Sequence, residues 1–476
     1  MATLITEKNK SQHRRLRDLY LKALMERARI FQFTGNYTLS YRDWKTLRCA
    51  TKEPKYRYEY YRGLSVLHEH VGRFHSSAVS LEKALVLCKR HPELVNKAMI
   101  KSMQIRLMLE KGDHLRVISS GCKLLNKKDV KSLAVTDLSR LLTNIGNAYL
   151  SIGNYDQACL YFLRARNHYK RINNLEGLST TENNLALVYW KKGDYRKALG
   201  YSRSALAIRT RIGHRYGISA TLNNLGLIND EMGRYEEALS YYEKALGIFK
   251  ELNDTYGMTI ALSNIGSIYG EVNGDLNKAI GYYKRSLELS RLTGDTYCLV
   301  EAMFDLAEMH WCNKDYMVYE QIVRSVGRLI KSIHSEELNI VYTLMVIKMY
   351  VRKKLRSKVA SLVRRLIRQA SFSKNYLLHS EAIASIVNLM YDQQMFFSLP
   401  EIDHCVKEIE KRLGTVESPL RRSKILRGLV KYYLLTGNRS NAVRYYRLWK
   451  NTAHKFKIKA QNLEIDKIGA EQRIIG

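Results

Sequence analysis

From Leu142 to Ala307 apolar and small side chains recur every three or four positions, as in Leu222, Leu225 and Gly226, then Ala238, Tyr242, Ala245 and Phe249. That spacing lines one face of a helix. Each helical stretch is closed by a Gly-polar-aromatic triplet, Gly153-Asn154-Tyr155, Gly193-Asp194-Tyr195 and Gly233-Arg234-Tyr235, and with one inserted residue at Gly274-Asp275-Leu276. Ahead of the triplets lie the matching segments LTNIGNAY, ENNLALVY, LNNLGLIN and LSNIGSIY, starting at Leu142, Glu182, Leu222 and Leu262. A fixed period of about 40 residues marks a repeat architecture. Each unit therefore predicts two antiparallel helices, with the glycine ending the first through a left-handed cap. Ala158, Ala198, Ala238 and Ala279 hold one position of the second helix, where a large residue would push the pair apart.

Weaker copies extend the register. Upstream are Gly35-Asn36-Tyr37, Gly72-Arg73-Phe74 and Gly112-Asp113-His114; downstream are Lys314-Asp315-Tyr316, Lys354-Leu355, Met395-Phe396 and Gly437-Asn438-Arg439. About eleven helix pairs would account for nearly the whole chain. The expected fold is all-α, a right-handed superhelical solenoid. Divergent repeats are expected over 1–140, regular ones over 141–320, divergent ones again over 321–460, and a cap or tail over 461–476.

The Asn-Leu/Ile-Gly/Ala core (Asn144-Ile145-Gly146 through Asn264-Ile265-Gly266), the Gly-x-Tyr turn, the second-helix alanine and the Tyr242 to Ala245 step resemble the tetratricopeptide repeat family. The likeness is to its longer variety of about 40 residues, similar to kinesin light chains and bacterial signalling proteins. The resemblance implies a concave face built from first helices that binds an extended peptide. Asn144, Asn184, Asn224 and Asn264 recur at one position of that helix, and Asp305 replaces the next. An amide offers a donor and an acceptor side by side, so such a row can pair with peptide backbone. In the family, asparagines here commonly hold a bound peptide. The alternative is that they cap or bridge neighbouring helices.

Charge sharpens this picture. The 476 residues carry a net charge of +34, divided into +24 for residues 1–220, −8 for 221–320 and +18 for 321–476. The acidic block includes Asp230, Glu231, Glu236, Glu237, Glu271, Glu301, Asp305 and Glu308, and would attract a basic ligand if its carboxylates face the groove. The basic arms would favour acidic partners. Arg352-Lys353-Lys354, Arg364-Arg365, Arg368 and Arg421-Arg422 could form a phosphate-binding surface, and Tyr432-Tyr433 with Tyr445-Tyr446 could stack bases, so nucleic acid is an alternative partner.

Seven scattered cysteines without a CxxC pair argue for a reducing compartment, expected to be the cytoplasm. No signal peptide or membrane span is expected. His68-Glu69-His70 with His75 is the one histidine cluster and lacks the HExxH spacing; no phosphate-cradling loop or nucleophile elbow appears. Neither enzyme activity, metal nor cofactor is expected. The leading reading is a non-catalytic protein-interaction scaffold for a protein or peptide partner. The alternatives are a peptide-responsive sensor signalling to a separate effector, and a basic nucleic-acid-associated scaffold.

Overall fold

The computed structural model describes residues 2–70, 74–94, 97–126, 130–131, 133–293, 296–333, 335–372, 376–394 and 400–471. Among them the fold is all-α, with twenty-three α-helices and no strand. They form eleven consecutive pairs, from α1 (Ala2–Phe33) with α2 (Tyr37–Ala50) to α21 (Pro419–Leu435) with α22 (Arg439–Lys455), followed by α23 (Asn462–Glu471). The sequence triplet at Gly72-Arg73 and the Met395-Phe396 step lie outside the described residues.

The Gly-polar-aromatic triplet is a complete helix stop and start. Gly153, Gly193 and Gly233 sit at φ +74, +80 and +74, the left-handed conformation that closes the first helix. Where the polar residue is Asn or Asp, its side chain then caps the second helix. Asn154 accepts from the Gln157 N–H at 3.2 Å and Asp194 from the Lys197 N–H at 3.1 Å, satisfying donors that a helix start leaves open. Lys314 and Lys354 take the glycine's place at φ 63 and 55. A second punctuation falls 20 residues on, at Asn173, Gly213 and Asn253, again with positive φ. The inserted residue before Gly274 is absorbed where a short π-turn, Ile268–Val272, interrupts the end of a first helix.

Contacts divide the chain into two units. The first comprises residues 1–225 and 244–255. Its repeats interlock small residues with aromatics: a Cβ at Gly146 would lie 2.7 Å from Phe162, and Tyr149 and Tyr189 stack on Tyr161 and Tyr201 at 5.5 and 5.4 Å. Near the N-terminus, Trp44 fills a core with Leu21, Ala28 and Leu64. The turn at Gly35 abuts Leu252, leaving no room for a side chain there.

The second unit comprises residues 226–243 and 256–476. A Cβ at Gly226 would come 2.4 Å from the Tyr242 ring, and Tyr319 donates to the Met345 carbonyl at 2.9 Å inside a core with Val300, Phe304 and Val323. Its C-terminal pair turns back onto earlier turns. Phe456 and Pro419 pack where a Gly233 side chain would point, and Ala460 does the same at Gly274. Helix α22 ends at Lys455, because Lys457 takes a left-handed φ of 55 and starts a sharp turn. Helix α23 follows and buries Ile465 and Ile468. Lys431, 1% exposed, holds it through ion pairs to Asp392 at 2.6 Å and to Glu464 of α23.

Candidate interaction face of the first helices

The residues singled out from the sequence fall on helices α7 (Val135–Ser151), α9 (Leu175–Lys191), α11 (Arg215–Glu231), α13 (Thr255–Ser267) and α15 (Thr296–Cys312). Asn144, Asn184, Asn224, Asn264 and Asp305 are all half-buried, while the next residue in each helix is buried. The repeat thus sets one polar group per first helix just outside the core.

In the first unit two of these amides reach sideways. Asn184 donates to the Asn147 side-chain carbonyl at 3.0 Å, and Asn224 donates to that of Asn183 at 3.0 Å. The inter-helix bridge considered as an alternative is therefore present at both positions. It uses the N–H2 group and leaves the side-chain carbonyls of Asn184 and Asn224 without a donor among the described residues. No hydrogen bond to the Asn144 amide exists among those residues. Each bridge contributes roughly 0.5–1.5 kcal/mol. The Asn183-Asn184 doublet is the visible signal for it, since its two amides serve the two neighbouring helices, Asn184 donating to Asn147 and Asn183 accepting from Asn224.

In the second unit Asn264 and Asp305 hold the amide position, and carboxylates gather beside it. Asp230, Glu231, Glu271, Asp305 and Glu308 occupy the first helices and the π-turn between them. Burial, reinforced by the like charges of Glu301 and Glu271, pushes the Asp305 carboxyl up to about 8, although Ser263 hydrogen-bonds it. Burial together with Glu231 and Glu271 raises Asp230 to about 7. Burial also opposes the charge on Glu308, but Lys348, at 2.7 and 2.5 Å from its two oxygens, prevails and lowers its pKa.

Two further cations facing this row, Arg421 and Lys424, come from α21, a part of the basic arm that nothing in the sequence ties to it. Lys424 Nζ lies 2.9 Å from Glu271 Oε2, across 153 residues of chain. Arg421 lies 3.1 Å from Glu231 and 3.8 Å from Glu381. Burial disfavours the Lys424 ammonium, yet Glu271 and Glu381 outweigh it and raise its pKa. Of the Arg421-Arg422 pair expected on a phosphate-binding surface, Arg421 instead serves the acidic row. The pairing exists only because α21 folds back within its unit.

Tyr433 stacks on Tyr445 at 5.7 Å, both donate to Glu410, and Tyr446 donates to the Ile465 carbonyl at 3.2 Å, so these aromatics belong to the core. Arg352 and Lys353 meet Glu320 at 3.4 and 2.9 Å. Arg364, Arg365 and Arg368 are exposed. Of the histidine cluster, the side chains of Glu69, His70 and His75 lie outside the described residues, and no metal-holding group of three ligands occurs among those described. Among the described residues no helix is long and apolar enough to cross a membrane.

The tetratricopeptide repeat family matches the chain over residues 137–211 and 177–251, and a second form of that repeat matches over 261–297. No curated protein matches. A Rap protein solved with Competence and Sporulation Factor is 13% identical, covers 82% of this chain and 97% of its own, and superposes with a TM-score of 0.53. The apo quorum sensor NprR from B. thuringiensis is 17% identical, with 81% and 98% coverage and a TM-score of 0.49. A kinesin light chain-like repeat protein from Podosopora anserina is 14% identical, with 42% and 99% coverage and a TM-score of 0.35. The chain carries tetratricopeptide repeats, matched directly from residue 137 to 251 and from 261 to 297, in an all-α repeat fold.

Proposed function

We propose that the chain is a non-catalytic protein-interaction module that holds an extended peptide segment along the concave face of its first helices. The observation that carries this reading is the in-register row of half-buried amides, with the side-chain carbonyls of Asn184 and Asn224 lacking donors among the described residues. A carbonyl held by its own amide in a fixed direction is a pre-organised acceptor for a peptide N–H, which lowers the ordering cost of binding. The Rap protein of shared fold carries a bound factor in its own structure, which is compatible with this use of the architecture.

The test is affinity capture from native extract with the full chain and with an Asn184→Ala, Asn224→Ala, Asn264→Ala variant, read by mass spectrometry. Partners that depend on the groove disappear with the variant. Retention of every partner by a folded variant would remove the asparagines from the function.

A further inference from the structure

The acidic row of the second unit already shows what chemistry it accepts. Arg421 and Lys424 stand one helical turn apart on α21 and meet Glu231 and Glu271, carboxylates at the same position of successive repeats. These two cations do not fill the row: Lys348 serves Glu308, while Asp230 and Asp305 make no ion pair among the described residues and hold protons that an arriving cation would displace. A second feature points the same way. The hydroxyls of Tyr235 and Tyr242, on side chains 7% and 0% exposed, have no hydrogen-bond partner among the described residues, and both stand within electrostatic reach of Asp230 and Glu231. A phenol oxygen beside carboxylates is an acceptor for the N–H groups of an ammonium or guanidinium.

We propose that Asp230, Glu231, Glu271 and Asp305 form a docking surface for lysine- and arginine-bearing segments of a protein partner, and that Arg421 and Lys424 are its built-in occupants, which an incoming basic segment displaces. This rests on the reading of the first-helix face as a peptide groove and names the partner's chemistry and the contact that regulates entry. The logic is competition between equivalents: the internal cations are tethered, so a single free lysine cannot outcompete them at ordinary concentrations, whereas a segment with several basic residues can. Charge reversal along the row explains why a chain of net +34 would still select a basic partner.

The probe is a fluorescein-labelled peptide copying residues 417–428 of this chain, ESPLRRSKILRG, together with a copy in which its arginines and lysine are glutamine. Binding by anisotropy is compared for the full-length chain, for Arg421→Gln with Lys424→Gln, and for that pair combined with Glu231→Gln and Glu271→Gln. The basic copy should bind the opened Arg421→Gln, Lys424→Gln chain at least tenfold more tightly than the unmodified chain, lose that gain when the two glutamates are neutralised, and exceed the neutral copy throughout. Equal binding of both copies, or indifference to Glu231 and Glu271, overturns the proposal. Circular dichroism checks that each variant is folded. Should the opened variant fail to fold, hydrogen exchange of α21 in the Glu231→Gln, Glu271→Gln chain decides: faster exchange than in the unmodified chain supports the internal occupancy, and unchanged exchange overturns it. If peptides bind through the asparagines but ignore the glutamates, the groove reading survives and this proposal fails; if the basic copy depends on the glutamates but not on the asparagines, the reverse holds.

Discussion

Asp305 stands where four repeats carry asparagine, and its replacement by asparagine has a calculable, pH-dependent effect. An unfolded aspartate ionises near pH 4, whereas burial and the charges of Glu301 and Glu271 hold Asp305 protonated up to about pH 8. The folded state therefore binds the extra proton between these limits, so this carboxyl lowers stability progressively as pH rises from 4 to 8 and fully above 8. A shift of this size corresponds to about 5–6 kcal/mol at about 1.4 kcal/mol per pH unit. Asp305 keeps partial contact with solvent and shares Lys424 with Glu271, and screening brings the realistic figure to about 2 kcal/mol. An asparagine side chain cannot ionise and has nearly the same shape, so Asp305→Asn should be almost neutral at pH 5 and stabilising by about 2 kcal/mol at pH 9. For a cooperative unit the size of the second, that raises the melting temperature by about 4–8 °C. The assay is differential scanning calorimetry of both proteins at pH 5, 7 and 9. A melting difference that stays constant across pH, or a destabilised variant at pH 9, refutes the electrostatic reading of the acidic row.

Other outcomes follow from the same packing. Gly226→Ala should destabilise by about 1–3 kcal/mol, because its Cβ would meet the Tyr242 ring at 2.4 Å, whereas Gly247→Ala and Gly281→Ala, which face open space, should stabilise by about 0.5–1 kcal/mol; chemical denaturation gives all three signs. Lys431→Met removes the ammonium that ties Asp392 to Glu464, so amide exchange should quicken in α23 while the repeats around Asn184 stay protected. Binding of a basic peptide to the acidic row should strengthen between pH 6 and 9, as Asp230 and Asp305 release their protons, and anisotropy titrations across that range would show it.

The repeat itself is open to reading because it is written three times over: in apolar spacing, in the glycine that must take positive φ, and in the alanine that admits its partner helix. Those are local requirements and leave local traces. Even the weaker downstream copies keep the period, since Lys314 and Lys354 adopt the left-handed turn that glycine marks elsewhere. The second turn of each repeat is hidden in the sequence because Asn173, Gly213 and Asn253 share a conformation rather than a residue type. The site is half legible. The row of asparagines and carboxylates follows from register alone, but its partners do not: Lys424 and Glu271 are 153 residues apart and meet only through the return of α21. For the same reason the basic arm reads as a surface for acidic partners, when part of it neutralises the chain's own carboxylates.

The proposal has two halves: the first-helix asparagines hold peptide backbone, and the first-helix carboxylates of the second unit take basic side chains. Random twelve-residue peptides selected on the intact chain, then measured by anisotropy against the intact chain and the Asn184→Ala, Asn224→Ala, Asn264→Ala variant, test both halves at once. Selected sequences should be enriched in lysine and arginine, with affinity falling at least tenfold on the folded variant. Selected peptides without basic enrichment that bind both proteins equally would contradict it.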